Sequence, residues 1–367
     1  MRLIGAIFGL TLILIILWDV FETIILPRRV TRRIRLTNLF YSSIWAPWSM
    51  FMRQLSNGRQ REKYLGLFGP LSLLILLGVW AVGLILGYAL LLWAANSRLN
   101  TSAETVITFS TYLYLSGVTF FTLGYGDIAP VFPLGRVLAV IEAGNGLGLF
   151  AIVISYLPIL YQAFSRREAS ISLLDARAGS PSSAVELLRR HRAEDSFDDL
   201  NRLLSEWERW SAELLESHLS YPVLCYFRSQ HDNQSWLRAL TTVLDTCALV
   251  MVGIDGAPIW QARMTFAMAR HAVVDIAQVF RTAPSAPELC GGRLTTDELS
   301  RLREILAKNG IRLPAGEETE RRLCEFRMMY EPYVFALAEW LIMPLPPWIL
   351  PPNAIDNWKT SAWGRIQ

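Results

Sequence analysis

The stretch TFFTLGYGD occupies residues 119–127 and lies between two long apolar runs. Its two glycines, Gly124 and Gly126, alternate with larger residues, and glycine reaches left-handed backbone conformations at little cost. A short extended segment with such conformations can turn its backbone carbonyls to one side, where they replace the hydration shell of a cation. The Thr122 hydroxyl adds a further oxygen at the start of the segment. The stretch therefore predicts a cation site built from backbone oxygens.

The composition places part of the chain in lipid. Of the 367 residues, 52% are hydrophobic and 18% are charged, and a soluble protein of this size seldom has this balance. Three apolar runs, at about residues 3–26, 65–95 and 134–164, are long enough to cross roughly 30 Å of hydrocarbon. The first run lacks a small-residue cleavage site and carries Asp19 and Glu22 near its end, so we expect a retained span rather than a signal peptide.

The distribution of charge predicts how these spans are oriented. The segment 27–63 holds nine Lys and Arg residues and one acid, Glu62, and the positive-inside rule places such a loop in the cytoplasm. The N-terminus then lies outside, residues 119–127 face the exterior, and the C-terminal half is cytoplasmic. Residues 164–367 carry 23 basic and 26 acidic residues, which argues against nucleic-acid binding. We expect a multi-pass protein of the cell (inner) membrane.

The stretch at 119–127 resembles the potassium-channel signature, usually written Thr-Val-Gly-Tyr-Gly-Asp, with Leu123 in place of the valine. The resemblance extends over about residues 66–163 and implies an outer helix, a pore loop and an inner helix. It also implies a homotetramer, because one filter strand cannot enclose an ion. The implied ion-binding residues are Thr122, Leu123, Gly124, Tyr125 and Gly126, with K⁺ held by the carbonyls of the first four.

The resemblance assigns supporting roles to residues around this filter. Tyr114 stands where the family has an aromatic side chain that braces the filter aspartate, and Thr119 matches a threonine that precedes the filter. Asp127 matches the carboxylate at the outer mouth, where a ring of acids raises the local concentration of cations. An alternative role for Asp127 is a hydrogen bond to the pore helix from behind the filter.

A helix is predicted to descend partway into the membrane before the filter. We expect it to run from Ala103 to Phe121, with Thr101 or Ser102 as its N-cap. A half-crossing helix is tolerated at membrane depth only where protein or a water-filled cavity surrounds it. The re-entrant helix therefore predicts neighbouring helices on its flanks.

The third apolar run contains glycines at 144, 146 and 148, each of which costs a helix about 1 kcal/mol relative to alanine. From the resemblance, Gly146 stands at the gating hinge of the inner helix, with Gly148 beside it. Close helix packing through small residues is the alternative interpretation.

Acids within the apolar runs are costly in lipid and indicate specific partners. Glu142 has two possible orientations. Facing the cavity it attracts cations; facing the pore helix it is a neutral or hydrogen-bonded brace for a residue such as Tyr112 or Ser116. Asp19 and Glu22 are expected to pair with the basic segment that follows them.

The C-terminal half is predicted to be helical and without catalytic chemistry. Helix-like spacing occurs at residues 184–192, 200–218, 236–251, 259–280, 296–309 and 317–341. We find no glycine-rich nucleotide motif, calcium loop or nucleophile elbow, so neither an enzyme nor a cofactor is expected. The grouping of His218, Cys225 and His231 does not fit a common zinc motif. The four cysteines include no Cys-x-x-Cys pair and are expected to be reduced.

The sequence thus predicts an all-α membrane protein with three transmembrane helices, a re-entrant pore helix with a filter, and an all-α cytoplasmic C-terminal domain. The predicted boundaries are 1–63 for the first helix and basic loop, 64–164 for the pore module and 165–367 for the cytoplasmic domain. The predicted function is a potassium-selective tetrameric channel that is gated through that domain. An unidentified cytoplasmic ligand of the domain is a possible partner. The alternatives are a weakly selective cation channel and a non-conducting membrane-anchored sensor or scaffold.

Overall fold

The computed structural model describes residues 1–26, 35–101, 106–192, 197–231, 233–285 and 292–352. These residues are mostly helical, and their two strands have two residues each, which confirms the predicted fold class. The chain divides into two units. The first comprises Met1–Phe51 and Leu67–Tyr161, and the second comprises Met52–Gly66 and Gln162–Gln367.

Three helical segments among the described residues are long and apolar enough to cross a membrane, as predicted: Arg2–Ile25, Gly58–Ala94 and Pro133–Ala178. The first consists of α1, Arg2–Val20, and a π-helical turn, Phe21–Ile25. The other helices of this part of the chain are α2, Leu36–Gln54; α3, Gly58–Ala94; α4, Phe109–Phe120; and α5, Pro133–Ala178. Helix α5 continues well past residue 164, where the third apolar run ends.

Helices α1 and α3 approach each other closely through glycine. A Cβ atom on Gly9 would lie 2.7 Å from the carbonyl oxygen of Gly87, and one on Gly83 would overlap the Cδ1 atom of Ile16. Small residues of this kind let two helices pack tightly where lipid supplies no hydrophobic driving force. Gly9 meets Gly87, whereas the later residue Ile16 meets the earlier residue Gly83, so the two helices are antiparallel.

The pore helix α4 is shorter than predicted and begins at Phe109 rather than Ala103. Its N-cap is Thr108, which has an extended backbone and donates its N–H to Thr111 Oγ1 at 3.1 Å. This contact gives the backbone N–H of the N-cap residue a hydrogen-bond partner within the first turn, so the helix starts there. Of the two predicted caps, residue 101 lies in non-helical chain and residue 102 lies outside the described residues.

The second unit is a bundle of helices around one that is buried along its whole length, α8. The predicted helix over 317–341 is wrong in one respect: it is two helices, because the chain turns at Met329 and Tyr330 and Pro332 lies in the first turn of the second. The helices are α6, Ala184–Arg190; α7, Asp198–Ser220; α8, Trp236–Met251; α9, Ile259–Val279; α10, Thr296–Lys308; α11, Glu317–Met328; and α12, Glu331–Leu341.

His218 is a buried structural residue of the second unit. Its Nδ1 lies 2.9 Å from the carbonyl oxygen of Leu214, and its Nε2 lies 3.2 Å from the guanidinium of Arg167. Burial, with a smaller effect of Arg167, lowers the pKa of His218 well below its ordinary value. Within the described ranges no group of three His, Cys, Asp or Glu side chains could hold a metal ion.

The cysteines differ from one another in state. Cys225 and Cys247 are free and buried, and burial raises the pKa of both thiols. Cys324 is disulfide-bonded, so the expectation of four reduced thiols is wrong at this residue. Cys290 lies outside the described residues.

Candidate functional site

The predicted ion-binding segment follows α4 directly and has an alternating backbone. Thr122, Gly124 and Gly126 have φ angles of +55°, +59° and +77°, whereas Leu123 and Tyr125 are not among the positive-φ residues. When left- and right-handed residues alternate, successive peptide planes turn their carbonyls to the same side of the chain, as a cation-binding strand requires. A Cβ atom at either glycine would meet open space within one chain. Glycine is therefore needed here for its conformation.

The C-terminal end of α4 is hydrogen-bonded to the start of this segment. Thr122 N donates to Thr119 O at 3.0 Å, and Leu123 N donates to Val118 O at 2.9 Å. The second bond closes a six-residue turn of the kind that ends many helices at a left-handed residue. Thr119 thus binds the filter segment through its backbone oxygen. Val118 does the same, and no feature of the sequence predicted this contact.

Asp127 is held from behind by the pore helix. Tyr114 Oη donates to Asp127 Oδ2 at 2.9 Å, which is the contact that the resemblance implied for these two residues. The bond joins the middle of α4 to the far end of the filter segment. The loop between Thr122 and Asp127 is therefore attached to α4 at both ends.

A short β-ribbon holds the chain that leaves the filter. The strands β1, Leu99–Asn100, and β2, Ala129–Pro130, pair antiparallel. Val131 N donates to Arg98 O at 2.9 Å, and Arg136 Nε donates to the carbonyl oxygen of Pro130 at 3.2 Å. Two-residue strands carry no alternating pattern, so this ribbon could not be predicted from the sequence.

Several apolar side chains of the site are uncovered in a single chain. Leu123 is 53% exposed and Tyr125 is 67% exposed. One face of α5 is also exposed and apolar, at Val137, Val140, Ile141, Leu147, Phe150 and Ile154. A single chain therefore leaves the side chains of Leu123 and Tyr125 and this one face of α5 exposed.

The glycines of α5 differ in their surroundings. A Cβ atom on Gly146 would overlap the carbonyl oxygen of Phe120 and lie 3.0 Å from its carbonyl carbon, whereas Gly144 and Gly148 have open space in the single chain. Helix α5 runs without a break through all three positions. Gly146 is therefore a close-packing position against the end of the pore helix. A hinge at Gly146 and Gly148 stays a prediction.

Glu142 is fully buried and faces the pore helix. Its Oε1 atom contacts Ser116 Oγ, so of the two orientations left open by the sequence the structure has the one in which Glu142 faces the pore helix. Tyr112, the other named partner, instead donates its hydroxyl to Ser97 O at 3.1 Å. Glu142 thus joins α5 to α4 behind the filter.

The two acids of the first span have different partners. Glu22 pairs with Arg35 of the basic segment, with 3.5 Å between the charged atoms. Asp19 is buried and accepts hydrogen bonds from Thr37 N at 3.2 Å, Thr37 Oγ1 at 2.6 Å and Trp80 Nε1 at 3.0 Å. Its carboxylate lies at the N-terminus of α2, where the helix dipole favours a negative charge. Asp19 therefore connects α1, α2 and α3.

The segment that contains this site is similar to a known protein family. Residues 73–163 match the family described as "Ion channel". The match begins within α3, includes α4 and residues 122–127, and ends within α5, so the recognition of a potassium-channel-type pore module from the sequence is confirmed.

Two curated proteins are similar to a longer stretch of this chain. An uncharacterized membrane protein of Bacillus subtilis, YdjJ, is 24% identical over 193 residues, which is 52% of this chain and 56% of that protein. A voltage-gated potassium channel of Aeropyrum pernix is 23% identical over 161 residues, which is 44% of this chain and 48% of that protein. The chain thus spans about half the length of the curated relatives it matches. No solved structure matches it.

Proposed function

We propose that the protein is a subunit of a potassium-selective channel that conducts K⁺ passively across the membrane. The observation that carries the proposal is the alternating backbone at Thr122, Gly124 and Gly126. This backbone suits a row of carbonyl oxygens from residues 122–125, with the Thr122 hydroxyl below them. K⁺ is the permeant ligand, and neither a cofactor, an enzymatic activity nor a nucleic-acid partner is expected.

The working assembly in this proposal is a homotetramer in a lipid bilayer. Four filter segments around a fourfold axis enclose an ion, which one segment cannot do. The exposed apolar faces of α5 and of the filter side chains Leu123 and Tyr125 support the proposal, because neighbouring subunits would cover them. The carboxylate of Asp127 would then form a ring of four at the outer mouth.

The proposed orientation follows from charge. The basic segment 27–63 is cytoplasmic by the positive-inside rule, so the N-terminus and the filter mouth lie outside the cell. Gating is assigned to the cytoplasmic helices of residues 165–367, acting on the inner helix near Gly146. Helix α1 has Arg2 as its only basic residue, so it lacks the row of arginines that a voltage sensor uses.

Ion flux from liposomes tests the proposal. The purified full chain should release K⁺ through a pathway that Ba²⁺ blocks and should pass Na⁺ far more slowly. Equal K⁺ and Na⁺ fluxes would establish the weakly selective channel instead, and no flux from a folded tetramer would establish the non-conducting sensor.

Two alanine variants sharpen this test. Gly124→Ala places a side chain on a left-handed residue, which costs about 1–2 kcal/mol in each subunit, and we expect it to abolish flux. Gly144→Ala is the matched control, because this helical glycine has open space around it in the single chain. It should retain flux.

A further inference from the structure

A buried polar contact behind the filter joins three helices at one serine. Ser116 of α4 is fully buried, as is Glu142 of α5. The Ser116 hydroxyl oxygen lies 2.7 Å from the carbonyl oxygen of Ile85 in α3 and within hydrogen-bond distance of Glu142 Oε1. Both neighbours of the hydroxyl are oxygen atoms.

These two contacts require two hydrogen atoms, and serine supplies one. A hydroxyl donates one hydrogen bond and accepts others, while a backbone carbonyl only accepts. If Ser116 donates to Ile85, the hydrogen between Ser116 and Glu142 must come from the carboxyl group. If Ser116 donates to Glu142, two oxygen lone pairs face each other at 2.7 Å across the Ile85 contact. The first arrangement satisfies both contacts.

We infer that Glu142 is a protonated, neutral carboxylic acid that donates a hydrogen bond to Ser116, which in turn donates to the carbonyl oxygen of Ile85. The resulting relay runs from α5 through α4 to α3. Glu142 is therefore a positioning residue, since it acts on the filter through the pore helix and does not touch the ion.

The surroundings of Glu142 favour the neutral acid. Its second oxygen, Oε2, is buried and has no hydrogen-bond partner among the described residues. Helix α3 presents Tyr88 as its titratable group, and the Tyr88 hydroxyl is already bound by Asn145 Nδ2; α4 presents Ser116, which does not titrate. Glu142 has no ion pair within the described part of the chain. An isolated carboxylate in such a place is so costly that the group neutralises instead.

Loss of the proton would break the relay. Ser116 would turn its single hydrogen to the carboxylate, and the Ile85 contact would lose its donor. Glu142 also lies one helical turn before Gly146, whose backbone packs against Phe120 at the end of the pore helix. Ionisation of Glu142 would therefore loosen α5 from α4 next to the filter.

Infrared spectroscopy of the full-length protein tests the inference without measuring conduction. The wild-type spectrum at neutral pH should contain the C=O band of a protonated carboxylic acid that is lost in Glu142→Gln. The exposed Glu206→Gln serves as the matched control and should keep the band. If Glu142→Gln removes no such band, the inference is wrong. If that variant does not fold, Ser116→Ala decides. Loss of the hydrogen bond shifts the protonated-acid C=O band when Glu142 is protonated, and it leaves that region of the spectrum unchanged when Glu142 is ionised.

A flux measurement gives the functional consequence, and this arm alone rests on the proposed channel function. Wild-type K⁺ flux should fall at alkaline pH, whereas Glu142→Gln, which keeps a neutral donor, should hold its flux across the same range. A pH profile shared by both proteins would overturn the positioning role. A protonated-acid band in a protein without flux would uphold the neutral acid and refute the channel proposal.

Discussion

Replacing Gly146 with alanine separates the two roles considered for this residue. If Gly146 serves only as a hinge, alanine stiffens α5 and stabilises the helix by about 1 kcal/mol. If it serves close packing, the new methyl group meets the backbone of Phe120, which cannot move like the end of a flexible side chain. The two roles therefore predict opposite changes in stability.

The magnitude follows from the contact. Overpacking a filled interior costs about 1–3 kcal/mol, and the gain in helix propensity offsets about 1 kcal/mol of it. In the control variants Gly144→Ala and Gly148→Ala, the new methyl group has open space in the single chain. These variants therefore gain helix propensity without the destabilisation that overpacking causes. We expect Gly146→Ala to be less stable than either control by about 1–3 kcal/mol per chain.

Thermal melting of the three full-length variants in detergent measures this difference. A change of 1 kcal/mol moves the melting temperature by about 2–4 °C in a domain of this size, so Gly146→Ala should melt several degrees below the controls. If Gly146→Ala melts with the controls or above the wild type, the packing argument is refuted and the hinge role gains support.

Three further predictions concern other parts of the chain. Tyr114→Phe removes the bond to Asp127, worth about 1 kcal/mol, and should make K⁺ flux decline faster with time; an unchanged time course would exclude this bond as a filter support. Asp19→Leu leaves buried donors without an acceptor, at about 1–3 kcal/mol each, so it should lower the melting temperature far more than Trp80→Phe, which deletes one donor; equal effects would contradict the Asp19 network. Because burial lowers the pKa of His218, the unfolded chain binds a proton there that the folded chain does not. Stability should thus fall by up to about 1.4 kcal/mol per pH unit below about pH 6.5, and His218→Gln should fall less steeply; identical slopes would contradict this.

The features that could be predicted from the sequence depend on local constraints. The filter needs left-handed residues at fixed spacing, and Gly124 and Gly126 reveal that need directly. The three spans are long apolar runs whose length is set by the thickness of a bilayer. The contact between Tyr114 and Asp127 was implied by the resemblance, because it lies within one short motif.

Some features could not be predicted because they depend on contacts between residues far apart in the chain. The start of the pore helix could not be predicted because several nearby residues are suitable N-caps. Asp19 and Trp80 meet only because α1 packs on α3, so the sequence around either residue does not predict the hydrogen bond between them. The packing of Gly146 on Phe120 requires the position of the pore helix. The start of that helix was placed too early because Thr101, Ser102 and Thr108 are all acceptable caps, and a side-chain contact decides between them.

The selectivity of the proposed channel for K⁺ can be measured as its reversal potential after reconstitution, with K⁺ on one side of the membrane and Na⁺ on the other. Each tenfold preference for one monovalent ion displaces this potential by about 59 mV. If the carbonyls of residues 122–125 select K⁺, the reversal potential should move toward the K⁺ equilibrium potential by more than that amount. A reversal potential near zero would show that these carbonyls do not select K⁺ over Na⁺.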